Sequence, residues 1–267
     1  MDPVLQSTLP HAPWMDPPAW RLPGTQPLDP ATWLIVDDAY AGQMATREWL
    51  IANKRDEVHA LLPEARAAAD ECLDAVLGFL PRLPGFEVMS HAVQRPDGAR
   101  VAVDRDAPLI TIGRLIQEDV CLMLPGGAEH VLGAAILCFP ASWTLRQKIG
   151  RPLVSIHDPV VKYDAGVAVR VQRLFDAIRP ERPMWRANAH LEDSPQLFAQ
   201  RDEHTPHPPK SAAPPYLRSE RQTLMRLPRT GAVAFCIHTW MVSVESLSAA
   251  HYATLDKVRN QYVSRRD

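Results

Sequence analysis

The chain has 267 residues, enough to bury a substantial core, and we expect one compact domain with additions, since domains of about 200 to 250 residues are common. Its 29 basic and 31 acidic side chains give a formal charge of −2, which argues against nucleic acid as a partner because the chain has no net attraction for phosphate. The sequence has no CxxC pair, no basic leader and no uninterrupted apolar stretch of about 18 residues, so we expect a cytoplasmic protein with reduced thiols and no membrane span.

The first thirty residues form a proline-rich segment that we treat as an N-terminal arm, residues 1–30. Its prolines alternate with Trp14, Trp20 and Leu22. Because proline removes backbone donors and blocks helix, we expect the arm to wrap over the surface with its tryptophans in grooves. Asp29 followed by Pro30 predicts the capped start of a short helix, and residues 31–267 would form a single domain.

Helical periodicity follows from Tyr40 to Leu80, where apolar residues recur at three- and four-residue steps. Pro63 divides this region into two predicted helices. Residues 109–124 are predicted to begin as a helix and to end as a strand, VCLML. Gly126-Gly127 then turns the chain into a second strand, HVLGAAILCF, so the pair predicts a β-hairpin.

The second half of the chain is predicted to contain most of the sheet. After Pro159, apolar spacing up to Ile178 predicts an amphipathic helix. Strands are predicted at residues 183–191, 221–227 and 232–242, and a final helix at 244–262. The run HTPHPPKSAAPP is predicted to be a loop, since proline does not pair within a sheet. Helices followed by a meandering antiparallel sheet favour an α+β fold.

Histidines are the main candidate ligands, and most have structural explanations. His11, His204 and His207 lie in proline-rich segments, while His59 and His251 lie on predicted helix surfaces. The chain has neither an HExxH motif nor paired cysteines, so a zinc site is not indicated.

His157 has a different setting. It follows a Gly150-Arg151-Pro152 turn and the apolar run LVSI, and Pro159 stiffens the backbone beyond it, so we expect it at the end of a strand or turn. A neutral imidazole presented from a rigid element into an apolar cavity is what a haem iron needs. On spacing alone, a histidine that caps a turn through Asp158 is the favoured alternative.

A haem in this chain would be bound noncovalently, because there is no CxxCH attachment motif, and its propionates would need cations. The candidate cations are Arg146, Lys148 and Arg151 before His157, and Arg218, Arg221, Arg226 and Arg229 further along the chain. The alternative interpretation is that these arginines face solvent, as arginines in strands usually do.

A carboxylate lies in the middle of the predicted strand around residues 216–224. Alternation in a strand places Arg218, Glu220 and Gln222 on one face and Ser219, Arg221 and Thr223 on the other. Glu220 could therefore bind or deprotonate a cationic amine. A cross-strand ion pair is the alternative, and the residues alone favour it.

Four blocks of the sequence resemble the haem-dependent oxidative N-demethylase family, long catalogued as a domain of unknown function. They keep their order and cover most of the chain from about Trp20 onward. The blocks are EDVCLML (118–124), FPASWTLRQKIGRPLVSIHDPVVKY (139–163), RPMWRAN (182–188) and LRSERQTLMRLPRTGAVAF (217–235).

The resemblance implies an enlarged PAS-like antiparallel sheet with flanking helices that enclose haem b. It implies oxidation of a small secondary amine, such as dimethylamine, to a primary amine and formaldehyde with dioxygen. Separate flavin and iron–sulfur subunits would supply the electrons, since this chain has neither a nucleotide-binding glycine motif nor cluster-binding cysteines.

The resemblance also gives roles to individual residues. His157 becomes the expected axial ligand of the haem iron, and Glu220 the expected substrate-binding and proton-accepting carboxylate. Arg221, the second expected catalytic residue, would lie with Arg218 near the haem edge or orient Glu220. Arg218, Lys148 and Arg226 are the expected cofactor-binding cations.

Two positions depart from the family pattern. A tryptophan usually follows the residue equivalent to Asn188, where this chain has Ala189, and an arginine usually stands at His238. Loss of an indole would reshape a pocket, and replacing guanidinium by imidazole changes both charge and reach. A substrate other than dimethylamine, or a loss of catalysis, would follow from such changes.

Two other functions remain open on the sequence. A haem-based gas or redox sensor fits a PAS-like fold without needing a substrate-binding acid, although no coiled-coil heptads or output domain follow the core. A metal-free module that binds a small ligand would leave His157 with a structural role only.

Overall fold

The computed structural model describes residues 3–20, 24–127, 129–157, 165–206 and 208–263. The side chains of His157, of residues 165–168 and of residues 260–263 are outside this description. Three sequence expectations therefore fall outside it: the haem-ligating imidazole of His157, the alternative in which this histidine caps a turn through Asp158, and the stiffening of the backbone by Pro159.

Helices and strands alternate along the described chain. The helices are α1 (Pro17–Trp20), α2 (Tyr40–Asn53), α3 (Arg55–Val58), α4 (Arg66–Phe79), α5 (Pro108–Gly113), α6 (Leu145–Lys148), α7 (Leu153–His157), α8 (Ala165–Ala177), α9 (Ala249–Ala253) and α10 (Asp256–Val263). The strands are β1 (Gln26–Pro27), β2 (His59–Leu61), β3 (Glu87–Val88), β4 (Ala92–Gln94), β5 (Arg100–Ala102), β6 (Asp119–Gly126), β7 (Glu129–Ile136), β8 (Met184–Glu192), β9 (Tyr216–Arg226) and β10 (Val233–Ser243).

The main structural feature is a seven-stranded sheet in the order β1-β8-β9-β10-β6-β7-β2, in which every neighbouring pair is antiparallel. Strands β3, β4 and β5 form a small separate sheet. The expectation of a mixed fold built around an antiparallel sheet is confirmed. The predicted β6–β7 hairpin, the helix before it and the tight turn between β9 and β10 are also present.

The two faces of the large sheet are covered by different elements. One face, here called the α8 face, packs against α6, α7 and α8 through Leu145, Leu153 and Phe175, which share an apolar cluster with Leu224 of β9. The opposite face, here called the α4 face, packs against α2, α4 and α5 in a second cluster. Each face therefore has its own core, and alternate residues of one strand serve different cores.

The N-terminal arm covers part of the α4 face. Trp14 is only 1% exposed, and its indole Nε1 donates to Thr254 Oγ1 at 3.0 Å. Gln6 is buried, and its amide bonds the backbone of β10 at Thr239 O and Met241 N. These contacts hold the arm along the sheet.

Three local predictions were wrong. Residues His59–Leu61 do not form the predicted helix but a short edge strand that pairs with β7. Their apolar spacing suits a helix or a strand, and the edge of β7 is available for pairing. The LVSI run before His157 is the helix α7 and not a strand, and the Glu129 carboxylate accepts a bond from its Val154 N–H at 3.0 Å. His59 accordingly does not lie on a helix surface.

The predicted C-terminal helix is also interrupted. A 3-10 turn at Val244–Ser246 is followed by α9, which Ser248 caps by accepting from His251 N–H, and then by α10. Among the described residues, no helix combines the length and apolar composition needed to cross a membrane.

Candidate functional site

Glu220 is the centre of a buried polar cluster on the α8 face. Its side chain accepts from Arg218 Nε at 3.0 Å on Oε1, and from Asn188 Nδ2 and Gln222 Nε2, each at 3.0 Å, on Oε2. Glu220 is 5% exposed and Arg218 2%. The predicted alternation thus brings Arg218, Glu220 and Gln222 together, and the neighbouring strand adds Asn188.

The sheet register explains why these residues meet. Asn188 of β8 lies opposite Glu220 in β9, and Arg186 lies opposite Gln222. Side chains directly opposite in an antiparallel pair point to the same face, so one row of polar groups crosses both strands. Arg186 Nη1 donates to Gln222 Oε1 at 2.7 Å, which extends the row.

Glu220 is held in its ionised form. Burial alone would raise the pKa of this carboxyl, but the charges of Arg218 and His190 and the hydrogen bonds from Asn188 and Arg218 outweigh burial and hold the pKa below its ordinary value. A buried carboxylate whose pKa is lowered, and whose Oε1 can accept a further hydrogen bond, is suited to a cationic ligand.

Polar atoms beside Glu220 are buried without partners. Arg186 Nε, Asn188 Oδ1 and Thr239 Oγ1 have no hydrogen-bond partner within the described part of the chain. An unpaired buried polar atom costs free energy comparable with a lost hydrogen bond, and such atoms call for a ligand or solvent. Burial also lowers the pKa of Arg186.

An apolar wall stands next to this polar row. Phe235 and Val171 are half-buried and pack, together with Trp143 and Ile156, against the cluster formed by α6, α7, α8 and the sheet. Apolar side chains beside a few convergent polar groups are the usual lining of a cofactor site. The residues present therefore fit a haem, whose ring is apolar and whose propionates are anionic.

His157 ends the helix α7, which packs on this same face through Leu153. Lys148 Nζ donates to the carbonyl of Ile156 at 2.5 Å and pairs with Glu203 Oε1 at 2.5 Å. Because Ile156 immediately precedes His157, Lys148 fixes the backbone that carries the candidate ligand.

The other two predicted cofactor-binding cations are bound to backbone carbonyls. Each nitrogen of the Arg226 guanidinium donates to a carbonyl, at Ile178, Gly231 and Phe175. Phe175 and Ile178 lie at the end of α8, so Arg226 anchors that helix. Arg218 Nη1 and Nη2 bond the carbonyls of Leu197 and Phe139.

Arg221 does not join the Glu220 cluster. As the next residue in an extended strand, it points to the α4 face, where Nη2 donates to Thr32 O at 2.6 Å and Nη1 to Trp33 O at 3.5 Å. The structure therefore separates the two residues expected to share a catalytic role.

The two positions that depart from the family pattern both lie on the α4 face. Ala189 is fully buried in an apolar cluster that contains Trp14 and Trp240. His238 is 1% exposed, with Nδ1 3.0 Å from Glu118 Oε1 and Nε2 3.0 Å from Asp37 Oδ2.

His238 is a cation in this setting. Burial alone would lower the pKa of the imidazole, but its hydrogen bonds to Asp37 and Glu118, and their charges, raise the pKa to about 9. The positive charge expected of the family's arginine is therefore kept. Sequence reasoning missed this pairing, because Asp37, Glu118 and His238 come from distant parts of the chain.

The chain matches the family described as haem-dependent oxidative N-demethylase, alpha subunit-like, over residues 24–261. This match covers most of the chain, and the protein belongs to that family. Haem dependence and an oxidative demethylase type of reaction are the family's general properties. The resemblance inferred from the four sequence blocks is confirmed.

Proposed function

We propose that this chain is the haem-binding subunit of an oxidative N-demethylase that converts a small secondary amine, such as dimethylamine, to a primary amine and formaldehyde with dioxygen. The observation that carries the proposal is the ionised Glu220 carboxylate, buried beside apolar side chains on the sheet face that is also covered by the helix ending at His157. Family membership supports the reaction type.

His157 is proposed as the axial ligand of haem b, and the apolar wall around Phe235 and Val171 as the surface against its ring. When bound, the haem iron supplies the site of dioxygen activation. The buried Nε of Arg186 has no hydrogen-bond partner among the described residues, so we assign Arg186 to a haem propionate. Lys148 and Arg226 were the expected partners, but their contacts favour positioning roles for them at α7 and α8.

Glu220 and Asn188 form the proposed amine site. A dimethylammonium ion has two N–H donors, and Glu220 Oε1 and the unpartnered Asn188 Oδ1 offer two acceptors. Because the pKa of Glu220 is lowered, the carboxylate is better suited to bind the cation than to keep its proton. Arg218 and Gln222 orient the carboxylate.

The arrangement of elements supports a PAS-like fold as part of the proposal. Helices α6, α7 and α8 are inserted between the β6–β7 hairpin and the β8–β9–β10 meander, and they cover one face of a single antiparallel sheet. Flavin and iron–sulfur subunits are proposed as electron donors, in keeping with the family's description as an alpha subunit.

Formaldehyde release from dimethylamine tests the function, with reductant and oxygen supplied to the haem-loaded protein. We expect Glu220→Gln to raise KM about tenfold or more, corresponding to about 1.4 kcal/mol of lost binding, because the amide has no charge to match the ammonium. The haem absorption spectrum of this variant should be unchanged.

Glu245→Gln is the matched control, since Glu245 is exposed and remote from the cluster. Equal turnover by Glu220→Gln and the parent would remove Glu220 from the amine site. A haem-loaded parent protein that released no formaldehyde from any secondary amine would favour the sensor function instead.

A further inference from the structure

A cavity of about 590 Å³ lies on the α4 face, across the sheet from Glu220. The N-terminal arm and residues 35–38 form one side of it, and strands β8, β9 and β10 form the other. Its volume is within the usual range of small-molecule sites, about 300 to 1,000 Å³. The proposed amine and haem sites do not use this cavity.

Arg221 lines the cavity and is unusual among the buried cations. The others in the described ranges, Arg47, Arg95, Lys148 and Arg218, each have a carboxylate within ion-pair distance. Arg221 is 9% exposed, yet no carboxylate within the described ranges lies within that distance. Its bonds go to the neutral oxygens of Thr32 and Trp33.

Arg221 has hydrogen-bond donor capacity left beside the cavity that it lines. Nη1 and Nη2 make its hydrogen bonds, while Nε has no acceptor among the residues described. A buried guanidinium without a counter-ion is costly, and its planar donors fit a carboxylate. A carboxylate ligand would remove that cost.

Two tryptophans form part of the cavity wall. Trp185 and Trp240 line it, and the Arg221 guanidinium lies 5.8 Å from the Trp185 ring centroid. His11 of the arm packs edge-on against Trp185 at 5.2 Å, and its Nε2 is buried without a partner in the described structure. Such walls favour a ligand with a flat apolar body.

The acids of the cavity are already engaged. Asp37 accepts from His238, Gln6 and Gln117, and it shares the imidazolium with Glu118. Asp38 is exposed and accepts from the backbone and the hydroxyl of Ser7. Neither carboxylate forms an ion pair with Arg221, which leaves the guanidinium open to an anion.

We propose that this cavity is a second ligand site, in which Arg221 binds the carboxylate of a small organic acid and Trp185 and Trp240 contact its planar body. The site is separate from the proposed N-demethylation and does not depend on it.

Calorimetric titration of the full chain tests the site, with acetate, benzoate and indole-3-acetate as probes, each compared with its neutral amide. We expect saturable binding of at least the aromatic acids, with the amides at least about tenfold weaker, a difference of about 1.4 kcal/mol. Arg221→Gln should abolish this preference for the acid. Arg105→Gln, at an exposed arginine, is the control and should keep it.

A second variant covers the case in which Arg221→Gln does not fold. Ala187 is buried and lines the cavity, so Ala187→Leu should fill space and weaken binding while Arg221 remains. The proposal is overturned if none of the acids binds saturably, if acids and amides bind equally, or if both cavity variants bind as the parent does.

Discussion

Two buried side chains are ionised, Glu220 on the α8 face of the sheet and His238 on the α4 face. Glu220 is kept as a carboxylate by Arg218 and amide donors, and His238 is kept as an imidazolium by Asp37 and Glu118. In both cases the partners outweigh the cost of burial. His238 therefore carries a positive charge near neutral pH, and this charge is titratable.

The titration of His238 predicts a pH-dependent stability. Its pKa is 6.5 in the unfolded chain and about 9 in the folded protein, so its contribution is complete below pH 6.5 and is lost as the pH rises through about 9. The free energy of unfolding, measured by urea denaturation, should fall by about 3 kcal/mol over that range. His238→Arg should lack this fall, because arginine stays charged.

Subtracting the two pH profiles isolates the contribution of residue 238 from every other titrating group. Parallel profiles for the parent and His238→Arg would show that the imidazole has no raised pKa.

Lys148 holds the C-terminal end of helix α7. The Lys148 ammonium bonds the carbonyl of Ile156 at the end of this five-residue helix and pairs with Glu203. A cation at a helix C-terminus also interacts favourably with the helix dipole. Lys148 is thus expected to order the backbone on both sides of the Ile156–His157 peptide bond.

We expect Lys148→Met to destabilise the protein by about 1–3 kcal/mol and to accelerate amide hydrogen exchange across α7, since a buried charge pair and a carbonyl partner are lost. Arg151→Met is the matched control: Arg151 pairs with the same Glu203 at 3.3 Å but its side chain is 43% exposed, so a change below about 0.5 kcal/mol is expected. Equal effects of the two variants would contradict the assignment.

Two helical glycines predict opposite outcomes of the same substitution. Gly78 of α4 is exposed and has open space around its Cα, so Gly78→Ala should stabilise the protein by about 0.5–1 kcal/mol through helix propensity. At Gly113 of α5, a new Cβ would lie 2.6 Å from Ile136 Cγ1, and Gly113→Ala should cost about 1–3 kcal/mol. Thermal denaturation of the two variants measures both changes in stability. If Gly113→Ala stabilised the protein, α5 would pack less closely on β7 than described.

Elements with strong local signals could be predicted from the sequence, and those that depend on distant partners could not. The β6–β7 hairpin has a glycine turn between two apolar runs, and both features are local. The strand His59–Leu61 exists because the edge of β7 pairs with it. Helix α7 contains β-branched residues that favour a strand, and bonds from Glu129 and Lys148 help to hold it as a helix.

The seven-stranded sheet separates the candidate functional groups into two sets, one on each of its faces. Strand alternation predicted that Glu220 and Arg221 would point to opposite faces, because a period of two is a local property. The strand register could not be predicted, so Asn188 and Arg186 were missed, although the motif RPMWRAN contains both. The proposed haem and amine site therefore lies on the α8 face, and the cavity of Arg221 on the α4 face.

The His157 imidazole is proposed to bind a haem iron on the α8 face, and the absorption spectrum of the purified protein tests this most directly. We predict an intense Soret band for protein produced with sufficient haem, and its loss or shift in His157→Ala, while His251→Ala leaves it unchanged. A colourless parent protein, or an identical Soret band in His157→Ala, would contradict the claim.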